Sequence, residues 1–137
     1  LTMAQRVALA GAVIVSTPQD LALLDARKGL NMFKRVEVPV LGIIENMSYF
    51  LCPHCGERSE IFTHGGAKNA SAQMGVDFLG EIPLEMAIRE GSDTGRPVVA
   101  TDPDGSQAKA YHAIADALWA KVSSGASQPV APEIIVE

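Results

Sequence analysis

Two short apolar runs near the start of the chain, residues 11–17 and 40–44, contain no alternating polar positions. Runs of this kind are typical of strands that are covered on both faces, as in a parallel sheet. Between them, apolar residues recur every three or four positions over residues 20–35, which predicts a helix that begins at Asp20. Strand, helix and strand in this order predict a right-handed crossover between parallel strands, and therefore an α/β fold.

The rest of the chain predicts further helices and strands. A third strand is expected at 76–82, and an apolar stripe indicates a final helix that begins near Asp102. Trp119 is expected to pack beside that stripe, and His112 to face solvent. The stripe on the final helix consists of Ala108, Tyr111, Ala115, Leu118 and Val122. The other predicted elements are helices at about 1–10, 66–74 (ended by Gly75) and 84–90, and a short extended stretch at 98–100.

Composition narrows the range of functions. The chain has 137 residues, a normal share of apolar residues and a formal net charge of −5. An acidic chain offers no basic face for nucleic acid, and no apolar run approaches the roughly 20 residues of a membrane span. The start of the chain lacks the features of a secretory signal. We therefore expect one domain in a reducing compartment, the cytoplasm or an organellar matrix, with the cytoplasm as the first choice.

Ligands of open parallel sheets bind at the carboxyl ends of the strands. Three loops, 16–19, 45–47 and 81–84, follow the three predicted strands. Asn46 lies in the second loop, and its amide has both a donor and an acceptor with which to contact a purine edge. An equally good interpretation is that Asn46 only ends its strand with a local bond to the main chain. Its position alone does not decide between the two.

Phosphate binding has no clear motif. The chain contains no Gly-x-x-x-x-Gly-Lys-Ser/Thr segment, and the pair Gly65-Gly66 is too short to wrap a triphosphate. These glycines are expected to begin a helix instead. The chain by itself is therefore not expected to hold and hydrolyse ATP.

The two cysteines, Cys52 and Cys55, are spaced as Cys-x-x-Cys within a predicted hairpin. A thioredoxin-like redox pair would lie before a helix, which is not expected here. A zinc site needs four ligands, and only His54 and His64 are near enough in sequence to add to the thiolates. An iron–sulfur cluster usually needs four cysteines. Two copies of the chain about a two-fold axis would supply four thiolates, to a cluster or to zinc.

Seven segments taken together resemble the Mrp/ApbC group of iron–sulfur cluster carriers, which are P-loop ATPases related to MinD and ParA. The resemblance covers about residues 1–122 in unbroken order. The segments are VSTPQDLALLD (15–25), GIIENMSYF (42–50), CPHC (52–55), IF (61–62), GG (65–66), LGEIP (79–83) and IREGSDTGRPV (88–98).

The resemblance implies a fold, a function and a set of site residues. The fold would be the C-terminal part of a P-loop NTPase-like (MinD/ParA-type) three-layer sandwich over residues 1–122, with a metal-binding hairpin at 47–63. The composition of residues 123–137, which are rich in Ser, Gly and Pro, predicts a disordered tail instead. A homodimer would hold a [4Fe–4S] cluster between its Cys52 and Cys55 pairs and pass it to apo-proteins. Asn46 and Pro83 would lie beside the adenine of ATP.

The family's deviant Walker A loop and Asp-x-Pro-Pro-Gly segment have no counterpart in this chain. ATP hydrolysis with Mg²⁺ would therefore belong to a full-length protein and not to this chain alone. The alternative function is a zinc-stapled dimeric structural or interaction module that transfers no cluster. No nucleic acid or membrane partner is expected.

Overall fold

The structure is a computed structural model that describes residues 7–125. Five strands and five helices follow one another along this part of the chain. They are β1 (Ala12–Ser16), α1 (Asp20–Arg35), β2 (Val40–Glu45), β3 (Phe50–Leu51), β4 (Arg58–Ser59), α2 (Gly66–Met74), β5 (Phe78–Glu81), α3 (Met86–Asp93), α4 (Val98–Thr101) and α5 (Ser106–Ser123).

The main sheet has three parallel strands in the order β1-β2-β5. Ser16 lies opposite Glu45, and Glu45 lies opposite Glu81, so the three strands end at the same edge of the sheet. The loops after them are thereby brought side by side. The predicted α/β class and the parallel strands are confirmed.

Helices cover both faces of this sheet. On one face, α1 and α2 pack on the strands around Ile43, which is completely buried. On the other face, α5 packs on β5 through Ile114, which contacts the cluster formed with Leu79 and Ile82. Helix, sheet and helix form three layers, as the resemblance implied.

A second, two-stranded sheet stands at the carboxyl edge of the first. The chain leaves β2 through Met47, which has a positive φ of 55°, an uncommon conformation for this residue type. Strands β3 and β4 then pair antiparallel and form the hairpin that carries the cysteines. A parallel bridge between Phe50 and Leu84 ties the hairpin to the loop after β5.

Five details of the sequence prediction are wrong. Residues 98–100 form the helical turn α4, because Ala100 and Thr101 both donate to the carbonyl of Pro97, although valine favours strands. The last helix begins at Ser106 rather than near 102. Its inward stripe runs through Ile114, and Ala115 is exposed, because the chain takes a three-residue step at that point.

The fourth error concerns Trp119, which is 71% exposed and does not pack against the helix stripe. His112 faces solvent, as expected. Of the predicted first helix, residues 7–10 are not helical and residues 1–6 lie outside the described part. The predicted disordered tail lies outside it from residue 126 onward. No described helix is both long enough and apolar enough to span a membrane.

Candidate functional site

The two cysteines lie on a tight turn between β3 and β4. The Cys52 amide donates to the Glu57 carbonyl at 2.9 Å, and the Gly56 amide donates to the Cys52 carbonyl at 2.8 Å. Gly56 has a φ of 71°, which glycine adopts without the strain that a side chain would add. Cys52 is half-buried, Cys55 is exposed, and no disulfide joins them. The two thiols are close enough to interact with each other, on a compact and accessible turn.

The turn also changes the acidity of Cys52. The main-chain N–H groups of Cys55 and then of His54, followed by the Cys55 thiol, lower the Cys52 pKa below its ordinary value of 9.0. Donors that point at a sulfur stabilise its anion, and the thiolate is the form that binds metals. The local fold thus favours the ligand form of Cys52 before any metal arrives.

We expect Cys52 to be alkylated by iodoacetamide at lower pH than an ordinary thiol. In a Cys55→Ser variant, which leaves Cys52 as the single thiol, the pH midpoint of the alkylation rate should lie below that of the same variant when it is unfolded. The two main-chain donors remain in that variant, so the thiolate persists at a pH where an unfolded thiol is protonated. The same variant in urea is the control, and an unchanged midpoint on unfolding would contradict this role of the turn.

No complete metal site exists within residues 7–125. In this part of the chain, no group of three or more His, Cys, Asp or Glu residues lies close enough together to hold one ion. The Nδ1 atom of His64 lies 3.1 Å from an Arg58 nitrogen and 3.4 Å from a Glu60 carboxylate oxygen, away from the thiols. The structure therefore does not assemble the four-ligand zinc site of Cys52, Cys55, His54 and His64 that the sequence left open.

Asn46 and Pro83 follow neighbouring strands. The Asn46 amide donates to the Ser16 carbonyl at 2.7 Å, and the Asn46 Oδ1 accepts from the Met47 amide at 2.9 Å. This is the local bond of the second interpretation of Asn46. It uses the side-chain oxygen, and the Nδ2 group makes no bond to another residue in the described chain. Pro83 is buried.

The candidate site residues do not line one common cleft. Asn46 lines an open cleft of about 550 Å³ between β1 and α1, and Pro83 does not contribute to it. Cys52 lines a different cleft of about 320 Å³, together with Phe50 and Met86. Within the described residues, the structure brings Cys52 and Cys55 together but does not bring Asn46 and Pro83 into one cleft.

The sequence did not predict a buried polar cluster that lies beside the strand ends. Glu45 is completely buried, and its Oε2 accepts from the Ala67 amide at 2.6 Å. The Ser48 hydroxyl lies 2.6 Å from Glu45 Oε1 and 3.0 Å from Glu81 Oε2. One signal was available, because a carboxylate that directly follows an apolar strand is placed where water is scarce and needs buried donors.

The cluster holds α2 against the sheet. Helices begin with unpaired amides and a partial positive charge, so the Glu45 carboxylate stabilises the start of α2. Gly66 makes the close approach possible, since a Cβ there would overlap the carbonyl oxygen of Pro18 in the loop after β1. The strand ends, the start of α2 and the hairpin are thus joined in one region.

Comparison with known proteins fits this arrangement. A family model described as ParA, NUBPL iron-transfer P-loop NTPase, matches residues 1–119. The chain belongs to this family. A curated family relative, the iron–sulfur cluster transfer protein NUBPL of Dictyostelium discoideum, is 61% identical over 111 residues, which are 81% of this chain and 34% of the relative.

Solved structures of this P-loop NTPase group agree with the fold. The nucleotide-binding protein of Archaeoglobus fulgidus, in complex with ADP, has a TM-score of 0.59 and 39% identity, over 72% of this chain and 39% of that one. The cell division ATPase MinD of Pyrococcus furiosus has a TM-score of 0.64 and 28% identity, over 81% and 43%. The chain spans between a third and a half of the length of these proteins.

Proposed function

We propose that this chain holds an iron–sulfur cluster on Cys52 and Cys55 and passes it to apo-proteins. The observation that carries the proposal is the pair of accessible thiols on a turn that favours the thiolate, with no third ligand nearby among the described residues. Two thiolates on one turn hold a cluster only with ligands from another polypeptide. Such a site receives and releases its cargo by exchange of ligands.

The cluster is proposed to be [4Fe–4S], bridged between two copies of the chain. A symmetric dimer brings the same patch of both copies together, and four thiolates then meet at the axis. The exposure of Cys55 leaves space for a second copy to approach. Acceptor apo-proteins would replace these thiolates one after another with their own cysteines. The thiols must stay reduced, which fits the cytoplasm or an organellar matrix.

ATP is proposed to act on this site from the full-length protein. The chain lacks a Walker A loop, so the triphosphate and Mg²⁺ would be held by residues outside this chain. In the full-length protein, Asn46 and Pro83 would lie beside the adenine, at the ends of two neighbouring strands. The ADP bound to the Archaeoglobus fulgidus protein supports nucleotide binding in the whole protein.

A second candidate uses the same turn. Four thiolates about a two-fold axis also suit tetrahedral Zn²⁺, and a structural zinc site would join two copies without any transfer. The lowered pKa of Cys52 favours binding of either Zn²⁺ or an iron–sulfur cluster, so the turn alone does not separate the two functions.

Anaerobic reconstitution with iron and sulfide separates the two functions. We expect about four iron and four sulfide per two chains, with broad visible absorbance, and a molar mass that doubles on loading. The loaded chain should then restore an apo-ferredoxin. One zinc per two chains, with neither iron nor sulfide after anaerobic purification and reconstitution, would reject cluster transfer and support the zinc staple.

A further inference from the structure

Arg58 joins the cysteine turn to the main sheet. We infer that Arg58 is a positioning residue, which fixes the orientation of the turn through Glu81, Ser48 and Glu45 and thereby slows the release of the cluster. The effect on release rests on the proposed function. None of these four side chains is a proposed ligand. Together they form a continuous line from the hairpin to the buried end of β2.

Arg58 lies in β4, directly opposite Leu51, the residue before the first cysteine. Its guanidinium carbon is 3.9 Å from the centre of the Tyr49 ring. One of its nitrogens lies 3.6 Å from a Glu81 carboxylate oxygen, and another lies 3.1 Å from His64 Nδ1. A guanidinium is planar and carries five donors, so it can hold these partners at the same time.

The line continues inward from Glu81. The Ser48 hydroxyl lies within hydrogen-bond distance of the Glu81 and Glu45 carboxylates. A hydroxyl carries one proton, so Ser48 donates to one carboxylate at a time and is shared between them. Glu45 is fixed by the Ala67 amide at the start of α2. The contacts of Arg58 therefore end on a side chain that the core holds in place, which restrains the position of Arg58.

The hairpin needs such a support. Strands β3 and β4 contain two residues each, and a pair of strands this short is not stable by itself. Two main-chain bonds join the hairpin to the loop after β5: the Ser48 amide donates to the Ile82 carbonyl at 3.0 Å, and the Leu84 amide donates to the Tyr49 carbonyl at 2.7 Å. These bonds hold the start of β3, and β4 is joined to β3 by their antiparallel pairing. The Arg58 side chain adds a direct link from β4 to the end of β5. The side chain of Arg58 is 39% exposed, so its ion pairs add little to global stability.

Amide hydrogen exchange of the metal-free chain tests the inference without any cluster. In Arg58→Gln, the Cys52 and Gly56 amides, which close the turn, should exchange about fivefold faster or more, while α1 amides keep their rates. Arg58→Lys keeps the positive charge but lacks the planar guanidinium, so its exchange rates at the turn should lie between those of the parent and of Arg58→Gln. Lys28→Gln, which breaks an exposed ion pair with Asp25 on α1, is the matched control and should leave the turn unchanged.

Cluster release gives the second measurement. The loaded Arg58→Gln chain should hold as much iron as the parent but lose it to a chelator about fivefold faster or more, with little change in melting temperature. Arg58→Gln and Glu81→Gln should be non-additive, because both break one contact. Unchanged exchange at Cys52 and Gly56 in Arg58→Gln would overturn the inference. If exchange rises but the parent takes up no cluster, the positioning role stands and the proposed function fails.

Discussion

A chain that carries Cys52→Ser and Cys55→Ser is expected to lose about nine-tenths or more of the iron and sulfide that the parent takes up. A serine hydroxyl stays protonated at neutral pH, whereas the Cys52 thiol has a lowered pKa in this turn. Within the described residues, no third ligand stands near the pair to retain part of the binding. The loss should therefore be nearly complete rather than graded.

The measurement is the iron and sulfide content after anaerobic reconstitution, together with the melting temperature of the metal-free chain. The melting temperature should change little, since Cys55 is exposed and serine is close to cysteine in size. His54→Ser is the matched control, because His54 is exposed between the two cysteines and is not a proposed ligand. Equal loading of the double variant and the parent would reject both cysteines as ligands.

The periodicity of the sequence predicted the strands and the long helices because each of them buries a single, regular face. The run at 40–44 is apolar since β2 is the central strand and is covered on both faces. The glycine after the helix at 66–74 was a sound end signal, and Gly75 indeed has a φ of 66°. Local patterns are sufficient where one rule decides the conformation.

Tertiary contacts decided the features that the sequence did not predict. The pair Val98-Val99 favours a strand locally but forms a helical turn that packs against α5. The stripe on α5 shifted from Ala115 to Ile114, because Ile114 is the residue that meets Leu79 and Ile82. The shift of the stripe depends on partners that are distant in sequence, which a single sequence does not identify. The turn at 98–101 rests on local bonds to the Pro97 carbonyl and on the helix that follows it.

The candidate site also contains one part that a local pattern predicts and another that depends on residues distant in sequence. The Cys-x-x-Cys turn is local, so its spacing was enough to expect two thiols on one turn. The cluster of Glu45, Ser48 and Glu81 joins residues as far apart as 45 and 81, and each looks like an ordinary surface residue by type. The local bond of Asn46 was one of the two interpretations, and that bond leaves its Nδ2 for a ligand.

Glu45→Ala is expected to lower the free energy of unfolding by about 3 kcal/mol. The change removes the acceptor of the Ala67 amide and of the Ser48 hydroxyl, both at 2.6 Å, and leaves a cavity at a completely buried position. The loss of the carboxylate also removes the cost of burying a charge, which offsets part of the effect. The lost bonds and the cavity outweigh that gain because α2 loses the group that stabilises its first turn.

Glu45→Gln separates the shape of this side chain from its charge. The amide oxygen can still accept from the Ala67 amide, while the amide nitrogen donates to the Ser48 oxygen and lets the Ser48 hydroxyl turn to Glu81. The loss should then be about 1 kcal/mol. Asp116→Ala, which removes an exposed acid on α5, should change the free energy of unfolding in urea by less than about 0.5 kcal/mol. If Glu45→Ala unfolds at the same urea concentration as Asp116→Ala, the buried carboxylate does not hold α2 to the sheet.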